Sequence, residues 1–198
     1  MPTTTTTTTM SERILDAASV LFYAEGLHAV SAEKILSEAG TTKVTFYRHY
    51  PSKVDLMVAY LDRESERARA GVAMARELAG GDDAEAFRLI AEGFGTETCS
   101  PGFRGCPFIN AAAEYADPAH PVRLAVARHR RWLTQTIEEM LAGSGVDDVS
   151  LVADELLMLR DGAAVGGNLG DPTIVSRALY NAGRAIVAFH RRPGSRAR

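Results

Sequence analysis

Between positions 42 and 53 the chain carries the charges of Lys43, Arg48 and Lys53 and no carboxylate, while Thr42, Thr45, Tyr47, His49 and Tyr50 add hydroxyl and ring donors. Cations mixed with short hydroxyls suit the phosphate oxygens and base edges of nucleic acid. The whole chain has a net charge of −3, so any such contact is confined to a local patch. A second reading comes from Cys99 and Cys106, which flank a Pro- and Gly-rich segment at 100–107, with His120 and His129 further on. They raise a thiol- or metal-responsive alternative. Two cysteines are too few for a disulfide scaffold and lack the second pair of a zinc site, which favours a reducing cytosol. No nucleophile, base and orienting group stand at a recognisable spacing, so a helical enzyme is the remaining rival and no catalytic residue, metal or cofactor is assigned.

The elements that must position the basic stretch follow from caps and periodicity. Ser31 is placed to cap a helix carrying Ile35 and Ala39 at helical spacing, and Gly40 can take the positive φ of a tight stop. Thr41 or Thr42 then caps a second helix over 43–49, giving a helix-turn-helix. Ahead of it, Ile14, Ala17, Ala18, Leu21 and Phe22 predict a helix from Ser11 that Gly26 ends. These three helices are expected to share a core of Leu21, Phe22, Leu27, Val30, Ile35, Val44 and Phe46, with Phe46 inside rather than on nucleic acid and Lys34 solvated. Ser52 opens a fourth helix running to about 79, whose apolar side is Val54, Leu56, Met57, Tyr60 and Leu61. Lys53 sits in its first turn, where the amides and the positive dipole end favour a phosphate.

Further helices are predicted over 84–95, 108–115, 119–141, 148–167 and 173–191. The last two place apolar residues around the cylinder and want more than one partner, which makes them candidates for a two-fold interface. No strand pattern occurs. The expectation is an all-α chain of about nine helices: a disordered leader at 1–10, a helix-turn-helix DNA-binding domain at 11–55 and a larger helical domain at 56–198. Phe94, Phe108, Asn110, Glu114, Trp132 and Met158 are candidate lining for a mainly apolar pocket, core packing being the plainer reading of each aromatic. No apolar run reaches the roughly 18 residues of a membrane span, and the Thr-rich start has no signal-peptide regions, so a cytoplasmic protein is expected.

The helix order, and GTTKVTFYRHYPSKVDLM in particular, resembles the TetR family of bacterial transcriptional regulators; the match is close over roughly the first 60 residues. The resemblance implies that the second and third helices read DNA, with Ser31, Thr42, Lys43, Thr45, Tyr47, Arg48, His49 and Lys53 as contact candidates. It also implies that 56–198 is an effector-binding and dimerisation domain, with a homodimer on a palindromic operator, a small-molecule effector, and repression as the usual mode. Val44, Arg48 and Leu36 depart from the common family residues, so the operator sequence does not carry over. GCPFINAAAEYADPAHPVR resembles a segment of one set of members and names no effector.

Overall fold

Four side-chain oxygens start the four helices at the N-terminal end. Thr9 caps α1 (Met10–Glu25) in a reciprocal pair with Glu12, Ser31 caps α2 (Ala32–Ala39), Thr42 caps α3 (Lys43–His49) and Ser52 caps α4 (Lys53–Leu78). Each accepts a hydrogen bond from an amide that the helix itself cannot satisfy. The computed structural model describes residues 9–191. Thr9 and Met10, expected to end a disordered leader, are instead the cap and first residue of α1; the rest of that leader lies outside the described residues.

Between α2 and α3, Gly40 is left-handed with φ 60° and ψ 46°, a conformation costly for a side chain with a Cβ. Ile14, Ala18, Leu21, Phe22, Leu27, Val30, Ile35 and Phe46 are buried together as expected. Val44 is not among them. It is 80% exposed, because α3 turns Phe46 inward and a residue two positions earlier then points about 200° away. The same core continues without a break through Leu56, Met57 and Leu61 of α4 into Phe108 and Val122.

Asp82 caps α5 (Asp83–Thr98), and Cys106 with Pro107 begins α6 (Pro107–Glu114). His120 caps α7 (Pro121–Leu141) and Asp148 caps α8 (Val149–Leu169). A 3-10 turn, Pro172–Ile174, leads into α9 (Val175–Phe189). The described residues thus form nine α-helices and no strand beyond one isolated bridge, Val146 to Arg191. A Cβ on Gly95 of α5 would lie 2.3 Å from Ser176 Cβ, and one on Gly167 of α8 would lie 2.8 Å from Thr98 Cγ2; both glycines permit close approach.

α8 has two apolar faces, as its sequence suggests. Val152, Ala153, Leu156 and Leu157 are buried, while Leu151, Met158, Val165 and Leu169 are exposed. α9 is more one-sided than expected, because Arg177, Asn181 and Arg184 recur at i, i+4 and i+7 and gather its polarity on one side. Phe189 near its end is 84% exposed.

Candidate nucleic-acid interface and its link to the helical domain

The candidate surface is built on α3. Phe46 is fully buried and anchors the helix, with Tyr47 edge-on at 5.1 Å and Tyr50 tilted at 6.3 Å. Tyr50 serves structure: its hydroxyl donates to the Ser11 carbonyl at 3.2 Å and accepts from Ser11 Oγ at 3.0 Å, tying the end of α3 to α1. Lys43, Val44, Tyr47, Arg48 and His49 are all exposed. Lys43 Nζ stands 6.0 Å from the Tyr47 ring centroid. Thr42 Oγ1 accepts from the Thr45 amide at 3.3 Å, and the two hydroxyls lie 3.1 Å apart.

The two outlying candidates are more constrained. Ser31 is exposed, and its oxygen accepts the Lys34 amide at 3.1 Å, leaving the hydroxyl proton available to donate. Lys34 pairs with Glu25 at 2.5 Å rather than being simply solvated. Lys53 is half-buried, with Nζ 3.4 Å from the His28 carbonyl, and that burial holds its ammonium below the usual lysine range.

A carboxylate missed by spacing joins this end to the helical domain. Glu114, the last residue of α6, accepts the Leu27 amide on Oε1 at 2.9 Å and the His28 amide on Oε2 at 2.7 Å. A ring nitrogen of His28 lies 3.0 Å from the Glu114 carbonyl, and the His28 ring stacks on Tyr115 at 4.4 Å. Tyr115 stacks in turn on His120 at 4.3 Å. On the same side, the Tyr23 hydroxyl donates to the Gly105 carbonyl and accepts the Arg104 amide, both at 2.9 Å. α4 is therefore not the sole connection between the two halves. No sequence signal marks these contacts, since their partners stand more than 80 residues apart.

The six pocket candidates are otherwise engaged. Glu114 is spent on the loop amides, Asn110 donates to the Arg104 carbonyl, and Met158 is 64% exposed on the outer face of α8. Phe94 lies under Arg160 and Trp132 under Arg69, while Phe108 stacks on His129 at 3.5 Å. A cavity of about 1000 Å³ lies elsewhere, among α5, α7, α8, α9 and the end of α4. Its lining includes Phe87, Ile90, Leu133, Met140 and Leu156 together with Arg160 and Arg184, and none of the six.

Neither cysteine is in a disulfide: Cys99 is exposed, and Cys106 is buried beside the Arg160 guanidinium, with which its side chain hydrogen-bonds. No three His, Cys, Asp or Glu side chains gather as a metal would need among the described residues. His129 is taken up by packing and a hydrogen bond to Ser65 Oγ at 3.0 Å. Its buried ring is held down to about 4, first by burial and then by the charges of Arg160, Arg69 and Arg130. A folded-state value below the unfolded one means that the unfolded chain binds more protons between them. Stability is then full above about 6.5 and is lost as pH falls toward 4. Denaturant titrations at pH 7 and 4.5 are expected to differ by about 2 to 3 kcal/mol from this residue, and His129→Gln flattens that difference.

Residues 14–60 match the model of the bacterial regulatory proteins of the tetR family. Among curated proteins, the chain is 33% identical over 82 residues to the transcriptional activator FasR of Mycolicibacterium smegmatis, a match spanning 41% of this chain and only 37% of that protein. It is 27% identical to the transcriptional regulator LmrA of Bacillus subtilis over 139 residues, 69% of this chain and 73% of that one. A crystal structure of a TetR-family transcriptional regulator from Streptomyces coelicolor is 41% identical, with a TM-score of 0.87 over 92% of this chain and 96% of the other. No helix of the described residues is long and apolar enough to cross a membrane. Because that likeness runs through the helical half as well as the DNA-reading end, this chain belongs to the TetR family of transcriptional regulators.

Proposed function

We propose that the protein is a ligand-responsive repressor that binds a palindromic operator as a homodimer and is released from it by a small-molecule effector. The observation that carries this reading is the bare apolar face of α8 and α9, where Leu151, Met158, Val165, Leu169 and Phe189 are exposed in the single chain. Apolar patches of this kind mark interaction surfaces, and a two-fold axis through this one pairs two copies of α3. Such pairs read half-sites about 34 to 36 Å apart in successive major grooves.

In this reading Lys43 and Arg48 contact bases or phosphates, Thr42 and Thr45 donate to either, and Ser31, Tyr47, His49 and Lys53 hold phosphates. Val44, exposed on the same helix, offers its methyls to a thymine methyl. The effector occupies the cavity lined by Phe87, Leu133, Met140 and Leu156 and acts by binding better to the arrangement whose reading helices no longer match the grooves. Selection of bound duplexes from a random pool tests the proposal: a two-fold symmetric consensus is expected, and an asymmetric single half-site would overturn the dimeric reading. Lys53→Ala is expected to weaken all sequences alike and to flatten the salt slope by about one unit. An unchanged slope in a salt-titrated binding assay removes the phosphate role.

A further inference from the structure

The 1000 Å³ cavity has an apolar interior and a charged rim. Ile137, Met140, Leu141 and Leu156 of its lining are buried, whereas Arg184 on α9 and Arg191 just beyond that helix are exposed. Asp82 and Asp83, at the start of α5, also line it, and Arg160 of α8 is the remaining charged group. Three arginines against two aspartates leave the lining with one positive charge in excess.

How each charge is already answered decides which of them a ligand can meet. Asp82 Oδ1 accepts the Ala84 amide at 2.9 Å and the Glu85 amide at 3.1 Å, and Asp83 stands in the same first turn, where the helix dipole favours a negative charge. Both carboxylates are thus held by α5. Arg160 pairs with Asp161 at 3.2 Å, and Arg191 Nε donates to the Ser144 carbonyl at 3.0 Å. Arg184 has neither an ion pair nor a hydrogen bond among the described residues; its guanidinium stands 5.6 Å from the centroid of the Tyr180 ring, which lines the same cavity. A guanidinium laid over a ring keeps the N–H donors on its edge, where two of them match the two oxygens of a carboxylate. An organic cation would find both aspartates engaged, and a phosphate monoester, at about −1.5 to −2 near pH 7, exceeds the single charge it would have to balance.

We propose that the cavity takes an amphipathic carboxylate, with its apolar body among Phe87, Leu133, Met140 and Leu156 and its two oxygens on the Arg184 guanidinium at the rim. The assignment rests on the reading of this cavity as the effector site and adds the class of compound that fills it. In this pose the charged head stays on the solvent side, where it loses little hydration, and the apolar body leaves water.

Calorimetric titration of the full chain with octanoate and 2-naphthoate tests this, with 1-octanol and octylamine as neutral and cationic counterparts. At least one carboxylate is expected to bind saturably, about tenfold or more tighter than either counterpart. Arg184→Gln, at an exposed position, is expected to weaken that carboxylate about fivefold or more and to leave 1-octanol as it was, whereas Leu133→Ala weakens both. Arg177→Gln, on α9 but outside the lining, changes neither, and circular dichroism checks that each variant folds. No saturation by either carboxylate, 1-octanol or octylamine binding as tightly as the carboxylates, or full carboxylate affinity in Arg184→Gln would each overturn the proposal. Operator release judges the underlying reading separately. An alcohol or amine that binds through Leu133 and releases DNA would keep the cavity as the effector site and remove only the carboxylate. A carboxylate that needs both Arg184 and Leu133 yet leaves DNA bound would keep the ligand class and remove the release.

Discussion

Gly95→Val is expected to lower the stability of the folded chain by about 3 kcal/mol and to abolish operator binding without touching the reading helix. At Gly95 an added Cβ meets Ser176 Cβ at 2.3 Å and its Cα at 3.0 Å. Backbone stands behind that contact, so no side-chain rotation relieves it. α9 must move off α5, and the bare face proposed for dimerisation moves with it. Thermal unfolding measures the first effect and sedimentation the second. The milder Gly95→Ala is expected to recover part of its loss when combined with Ser176→Gly, which removes the nearer of the two atoms. Additive losses in that double variant would show that the contact is not the cause.

Met158→Glu is expected to act in the opposite manner, sparing the chain and breaking the pair. Met158 is 64% exposed, so a carboxylate there stays solvated in the single chain. In an isologous interface the same substitution buries two like charges without partners, at about 3 kcal/mol, which corresponds to a dimer weakened roughly hundredfold. Operator affinity falls as well, since two linked reading helices bind far better than two separate ones. Sedimentation and circular dichroism together check this outcome. A stable dimer of normal affinity would place the interface somewhere other than the outer face of α8.

The local features of the DNA-reading end were legible from sequence because their causes are local. Ser31, Thr42 and Ser52 each cap a helix through an amide within three residues, and Gly40 takes the positive φ that its place in the turn predicts. Val44, apolar and expected in the core, is exposed because residue type alone does not fix the phase of a seven-residue helix. The helical half was legible as elements and not as a site. Phe94, Phe108 and Trp132 are the residue types that line pockets, yet each is covered by an arginine or a histidine contributed by a distant helix. Glu114 has the character of a polar pocket group, and nothing within its own helix shows that loop amides 86 and 87 residues earlier stand in front of it.

That carboxylate also bears on how motion passes along the molecule. A single hydrogen bond is a ball joint, fixing a distance and leaving rotation free. Glu114 binds two successive amides with two oxygens held in one rigid plane, which makes it a hinge with its axis defined. The His28 ring nitrogen, 3.0 Å from the Glu114 carbonyl, adds a third tie, this one to the backbone of α6, so residues 27 and 28 are held to that helix end at both its side chain and its main chain. Replacing the carboxylate with a side chain that holds only one of the two amides would keep the parts together while letting one turn without the other.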